Sequence, residues 1–202
     1  MNSRGDTKSR LLQTAMELIW ESSYGSVSVD DICNKAEVNK GSFYYAYKSK
    51  SDLAVAAFER HWENKQQLLQ THFDRSIPSL ERLELYCNRV VTDQLEKYRA
   101  FGKMLGCPFC SIGSELSTQD EKIRKKAEEI ASRYMKFLES MITDLLHDDH
   151  IRQGDPKELS HEVYCYTIGL ILQAKIENNP AHLDRLKPGL WRLLTVKDLL
   201  KV

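Results

Sequence analysis

The chain has 202 residues, with 29 Lys and Arg balancing 29 Asp and Glu and 42% hydrophobic content, enough for one or two folded domains with a sizeable core. Zero net charge excludes a uniformly basic polyanion binder and makes any nucleic-acid face a local one. The most apolar run, Cys165 to Leu172, is too short to span a bilayer, the N-terminus carries no signal-peptide core, and five cysteines without a secretion signal read as reduced thiols of a cytoplasmic protein.

Apolar residues recur with helical period almost throughout and no strand-like alternation stands out, so the expected fold class is all-α. A first helix is expected from Asp6 to Ser23, with Leu11, Leu12, Ala15, Leu18 and Ile19 along one face and Gly25 as its C-cap. Ser28 caps a short second helix, Asp31 three residues on supplies a capping box, and Val29, Ile32, Cys33 and Ala36 form the inner stripe. After a break at Glu37 to Asn39, Asn39 caps a third helix reaching about Tyr47. Ser49 caps a long fourth helix to about Phe73, and Pro78 marks a fifth that runs to about Met104. Gly106 to Leu116, GCPFCSIGSEL, reads as a break followed by a short helix. Thr118 and Glu121 make a capping box for a long helix to about His147. Asp155, Pro156 and Glu158 open the next, apolar on two sides and ending near Asn178, and Leu190, Trp191, Leu193 and Leu194 sit in the last.

The stretch VNKGSFYYAYKSKSDL, from Val38 to Leu53, sets Phe43, Tyr44, Tyr45 and Tyr47 among Lys40, Lys48 and Lys50, with no acid before Asp52. A core segment would not carry those lysines, and a plain solvated face would not carry those rings. Two short helices joined by a tight turn make a helix-turn-helix candidate. Lysines neutralise phosphates, while tyrosine hydroxyls and helix N-terminal amides position the backbone of a duplex. Gly41 leaves room for close approach; Phe43 and Tyr47, four apart, face a small core of Leu18, Ile32 and Val38. Ser42, Tyr44, Tyr45 and Ala46 are left facing outward, and the positive charge is focused at Lys35, Lys40, Lys48 and Lys50.

Residues Lys8 to Leu53 resemble the DNA-binding domain of the TetR family, through VSVDDICNKAEVNKGSFYYAYKSKSDL: an acid-containing second helix, a V-x-K-G turn, an aromatic pair, an aromatic four residues after Phe43, and K-S-K before the fourth helix. The resemblance implies a helix-turn-helix domain over residues 1–49, a helical effector-binding and dimerisation bundle over residues 50–202, and a repressor binding a palindromic operator as a homodimer. It implies DNA contacts from Lys40, Gly41, Ser42, Tyr44 and Tyr45, and phosphate contacts from Lys48 and Ser28. Ala46 stands where the family commonly has histidine, and Tyr47 where it has phenylalanine.

In the second half, the apolar stripes of the last two long helices suit pairing with symmetry mates, with Tyr164, Ile168, Ile171, Leu172, Leu190, Trp191 and Leu194 as the interface. Cys107 falls near the N-cap of the helix opened by Pro108, where free amides favour a thiolate, and Cys110 lies one turn on. GCPFCSIGSEL resembles the G-C-x-x-x-x-L-x-x-E-[LV] region of an electrophile- and redox-responsive branch of the family, as does LILQAKI, Leu170 to Ile176; this implies Cys107 as a sensing thiol. The alternatives are a Cys107 that simply packs, and a helical thiol-redox protein using Cys107 and Cys110, which would lack the usual βαβ support. Cys33, Cys87 and Cys165 lie on apolar stripes and read as core. Trp62, Tyr86, Tyr98, Phe101, Phe109 and Tyr134 are candidates to line an effector pocket between the fourth and seventh helices. Nothing ties the cysteine pair to His147 and His150 as a zinc site, and no catalytic order or Gly-rich phosphate loop appears; neither metal, cofactor nor enzymatic activity is expected.

Overall fold

The computed structural model describes residues 3–197. Among them are α1 (Ser3–Glu21), α2 (Val29–Lys35), α3 (Lys40–Ala46), α4 (Lys50–His72), α5 (Ser79–Phe101), α6 (Pro108–Leu116), α7 (Glu121–His147), α8 (Pro156–Glu177) and α9 (Leu186–Leu194), with a 3-10 helix at Pro180–Arg185 and no strand. The chain forms two compact units. One comprises residues up to Gln66 together with Pro108–Ala131, the other Gln67–Cys107 together with Ser132 onward.

In the first unit α1, α2 and α3 pack on one another and α6 packs on α1. Leu11, Ala15, Ile19, Ile32, Phe43 and Leu53 are buried there. The short helices are set by their caps. The Asp31 amide donates to Ser28 Oγ at 3.1 Å and the Ser28 amide to Asp31 Oδ2 at 2.8 Å, a complete capping box. Glu37 takes a left-handed φ of 53° to turn the chain, and the Ser42 amide donates to Asn39 Oδ1 at 2.8 Å. The cap of α7 is Asp120 rather than Thr118: its Oδ1 accepts from the amides of Lys122 at 3.0 Å and Ile123 at 3.2 Å. The reason lies upstream, where the Leu116 carbonyl takes the amides of Gln119 and Asp120, both at 2.9 Å, prolonging the end of α6 past Thr118.

In the second unit Met104, Ile171, Ala174 and Leu183 form a buried cluster against which Val90, Val91, Tyr98, Cys107 and Ile168 pack. Phe73 meets Tyr86 edge-on and Phe137 at a tilt, with ring centroids 6.2 and 5.7 Å away. Arg82, only 3% exposed, is held by Asp144 at 2.9 Å. Gly102, with φ 68°, ends α5 at Phe101, short of Met104. Asp155 caps α8 through the Glu158 amide at 2.9 Å, with Pro156 in the first turn. α8 packs on the 3-10 helix and on α9. Tyr166 lies over Gly189, where any Cβ would collide with the phenol. None of the described helices is long and apolar enough to cross a membrane.

Candidate nucleic-acid interface

The recognition candidate is α3. Phe43 is fully buried beneath it, with Tyr44 edge-on at 5.1 Å and Tyr47 tilted at 6.4 Å. This leaves Tyr44 55% and Tyr45 77% exposed. Lys40, Gly41 and Lys48 are exposed as well, whereas Ser42 and Ala46 are half-buried. A Cβ on Gly41 would come within 3.3 Å of Asn39 Oδ1, the cap of its own helix. Lys40 reaches Asp30 Oδ1 at 2.7 Å, and that bond holds its ammonium pKa up. Ser28 is exposed, but its hydroxyl donates to Asp31 Oδ2 at 2.6 Å and so serves its own helix first.

Besides Lys40, two more of the four lysines expected to focus positive charge are engaged with the head itself. Lys35 meets Glu17 at 3.7 Å. Lys50 turns inward, its Nζ donating to the carbonyls of Tyr24 and Val27, both at 2.8 Å; desolvation pulls its pKa down.

Gly25 is not a left-handed cap; α1 ends at Glu21, and the positive-φ glycines are Gly102 and Gly106. The Tyr24 and Gly25 amides instead donate to Glu115 of α6, at 3.2 and 2.9 Å. Residue-by-residue reading passed over Glu115, although it is the glutamate of the G-C-x-x-x-x-L-x-x-E-[LV] pattern.

The six aromatic effector candidates fall in both units. Trp62 and Phe109, in the first, are buried, and Phe109 packs on Phe58 and His61, both at 5.4 Å. In the second, Tyr98 is half-buried on the apolar cluster, while Phe101 is 39% exposed at the end of α5, with the Lys97 ammonium 6.0 Å from its ring centroid. Tyr134 lies tilted against Tyr164, ring centroids 6.0 Å apart, and bonds to the Tyr86 hydroxyl. Tyr86 donates to Thr167 Oγ1 at 2.8 Å, which donates to the Val163 carbonyl at 2.8 Å. Burial raises both phenols far above the ordinary tyrosine range; for Tyr134 the neighbouring Tyr86 and Cys107 push the same way.

Cys107 directly precedes α6 and is half-buried against the Met104 cluster; Cys110 is half-buried on α6. All five cysteines are free thiols. Cys33 and Cys87 are buried, and desolvation pushes the Cys87 thiol up to about 12. Cys165, expected in the core, is exposed. Among the described residues, no group of three or more His, Cys, Asp or Glu side chains is placed to hold a metal ion.

The dimer candidates divide too. Ile171, Leu190, Trp191 and Leu194 are buried within their own chain and offer no free face. Tyr164 and Ile168 are half-buried. The open apolar stripe of α8 consists of Cys165, Gly169, Leu172 at 51% exposure and Ile176 at 69%, spaced i, i+4, i+7 and i+11 along one face.

A longer helix and two short capped ones carrying an exposed aromatic face, joined to a helical bundle, define a helix-turn-helix regulator. Residues 11–57 match the family described as bacterial regulatory proteins, tetR family, and residues 79–190 match the tetracyclin repressor-like C-terminal domain, so the chain belongs to the TetR family of transcriptional regulators. It is 29% identical to the transcriptional regulator AcuR of Cereibacter sphaeroides over 176 residues, 84% of this chain and 77% of that one. It is 25% identical to the HTH-type transcriptional repressor NemR of Escherichia coli strain K12, with 86% of each covered. Its fold matches the crystal structure of reduced E. coli NemR with a TM-score of 0.81 at 23% identity, over 94% of this chain and 98% of that one. A regulatory protein TetR from Rhodobacter sphaeroides matches with a TM-score of 0.81 at 26% identity, over 92% and 97%.

Proposed function

We propose that the chain is a cytoplasmic repressor that binds a palindromic operator as a homodimer and releases it when a small-molecule effector binds or Cys107 is modified. The observation that carries this reading is α3: Tyr44 and Tyr45 stand in solvent beside Lys40, Gly41 and Lys48 on a helix whose opposite side is anchored by buried Phe43. Hydroxyls and ammoniums on so short a rigid helix suit a phosphate-lined groove. The α8 stripe supports two-fold pairing, which sets two such helices in successive major grooves about 34 Å apart. The similarity to NemR, a repressor, supports the direction of control. The place of Cys107, directly before α6 and beside the Tyr86–Tyr134 hydroxyls, supports a thiol input.

The test is fluorescence anisotropy of the reduced protein on duplex from upstream of its own gene, repeated after diamide, with Cys107→Ser in parallel. Salt-dependent binding that oxidation abolishes in the wild type and spares in Cys107→Ser is expected. Equal affinity for a scrambled duplex would overturn the repressor reading. Operator binding indifferent to diamide would return Cys107 to packing and leave release to a reversible effector.

A further inference from the structure

The turn between α1 and α2 carries backbone groups that neither helix satisfies, and two charged side chains from elsewhere take them. On one side the Glu115 carboxylate spans consecutive amides, accepting from Tyr24 at 3.2 Å and Gly25 at 2.9 Å. On the other the Lys50 ammonium donates to the carbonyls of Tyr24 and Val27 at 2.8 Å and sits 3.9 Å from the Tyr24 ring centroid. Charge-assisted bonds of this kind are stronger than neutral ones, and a carboxylate spread over two amides also fixes direction. The approach is close: a Cβ on Gly25 would meet Glu115 Oε1 at 3.4 Å.

The clamp lies immediately before the reading head. Val27, whose carbonyl it holds, is buried, and the next residue, Ser28, is the N-cap of α2. α2 in turn packs on α3. The carboxylate belongs to the last turn of α6, the helix that Cys107 precedes and Cys110 sits on. Burial lowers the Lys50 pKa, and the Glu115 charge counters that fall. Desolvation raises the Tyr24 phenol to about 12, with Asp120, Asp52 and Glu115 adding to the effect, so the ring stays neutral beneath the ammonium.

We infer that Glu115 is a positioning residue for DNA binding: by clamping the α1–α2 turn it fixes the N-terminus of α2 and hence the reading face of α3. The DNA half of this inference rests on the repressor reading above; the clamp itself does not.

The experiment compares wild type with Glu115→Ala, the isosteric Glu115→Gln, and Glu115→Asp, which keeps the charge on a shorter arm. Amide hydrogen exchange is followed by mass spectrometry, and duplex affinity by anisotropy at several salt concentrations. In Glu115→Ala and Glu115→Gln, exchange across Tyr24 to Ser28 should rise by about tenfold or more while the α4 and α8 peptides are unchanged. Operator affinity should fall by about tenfold with the salt slope preserved, because no phosphate-neutralising cation has been removed. Glu115→Asp should recover part of both. Unchanged exchange in Glu115→Gln would overturn the clamp; raised exchange with unchanged operator affinity would overturn the positioning role. A wild-type protein that binds no duplex would overturn the repressor reading, and the exchange arm would still decide the clamp.

Discussion

Helices α3 and α8 each leave two large side chains in water, with different chemistry. On α3 the exposed groups are Tyr44 and Tyr45, 55% and 77% accessible, whose rings end in hydroxyls and lie between Lys40 and Lys48. On α8 they are Leu172 and Ile176, 51% and 69% accessible, on a stripe with Gly169 and Cys165. A hydroxylated ring beside ammoniums stays tolerably hydrated alone and gains by meeting phosphate and base edges. An aliphatic stripe with a glycine in it gains only by dry packing against another apolar surface. The support differs to match. α3 has seven residues and is held by one cap and one buried ring; α8 has 22 and is buried along its other side by Leu159, Val163, Ile171 and Ala174. The first face fits a polyanion and the second fits another copy of itself.

The hardest way to break the comparison is to remove what supports α3. Phe43→Ala empties the centre of a small three-helix core and should cost about 3–5 kcal/mol, the range for deleting a buried phenyl ring. Thermal unfolding by circular dichroism should show the head melting early, with duplex binding lost. The second unit does not draw on Phe43, and exchange protection in α8 should persist.

The next effect separates the two faces. Leu172→Glu with Ile176→Glu places charge where two copies of α8 would meet. Sedimentation should show a monomer, and operator affinity should fall about a hundredfold or more as the two-headed advantage disappears, with the head still folded. The cysteines give an internal check at pH 8. Iodoacetamide should label Cys165 slowly in the wild type and quickly in the variant. Cys87 should resist in both, because a thiol pushed up to about 12 by burial is almost entirely protonated at that pH. A variant that remains dimeric would move the interface off this stripe.

Local signals made much of this legible. The Ser28–Asp31 box, the Asn39 cap and the Asp155–Pro156 start all sit within a few residues of the helices they begin, and each holds in the structure. The unforeseen features depend on distant partners. Gly25 looked like a helix stop because the carboxylate that receives its amide lies 90 residues along. Period alone marked two apolar sides on α8 without telling which one the chain covers itself. Ile171 lies inside and Leu172, next to it, outside. The run K-S-K supplied two positive charges; the carbonyls of Tyr24 and Val27, out of sight in the sequence, turn Lys50 inward and leave Lys48 exposed. On α3 the outward placement of Tyr44 and Tyr45 was readable because one anchor, Phe43, sets the phase of a single short helix, whereas Ser42 and Ala46, expected outward as well, are half-buried.

That phase can be tested with Tyr45→Ala. At 77% exposure the ring contributes little to the fold, so the melting curve should match the wild type. Operator affinity should fall about five- to tenfold, the equivalent of one or two lost hydrogen bonds. Lys48→Ala should act differently, weakening operator and scrambled duplex alike and reducing the salt slope by about one. A Tyr45→Ala protein with full affinity and preference would place the reading face elsewhere on α3.

The smallest expected effect concerns Lys40, the one α3 cation that the structure ties to an acid, Asp30, at 2.7 Å. Both partners are more than half exposed, so the pair adds little to stability. Its consequence lies at the DNA face. A phosphate must either displace the Asp30 carboxylate or share Lys40 with it, and the carboxylate itself repels the duplex. Asp30→Asn removes that competitor while Asp31 keeps the capping box of α2 intact. Affinity for operator and scrambled duplex should therefore rise together by about two- to threefold. The gain should fade as salt is added, because it is purely electrostatic. A rise confined to the operator would instead mean that position 30 touches base edges, and would extend the reading face from α3 onto the first turn of α2.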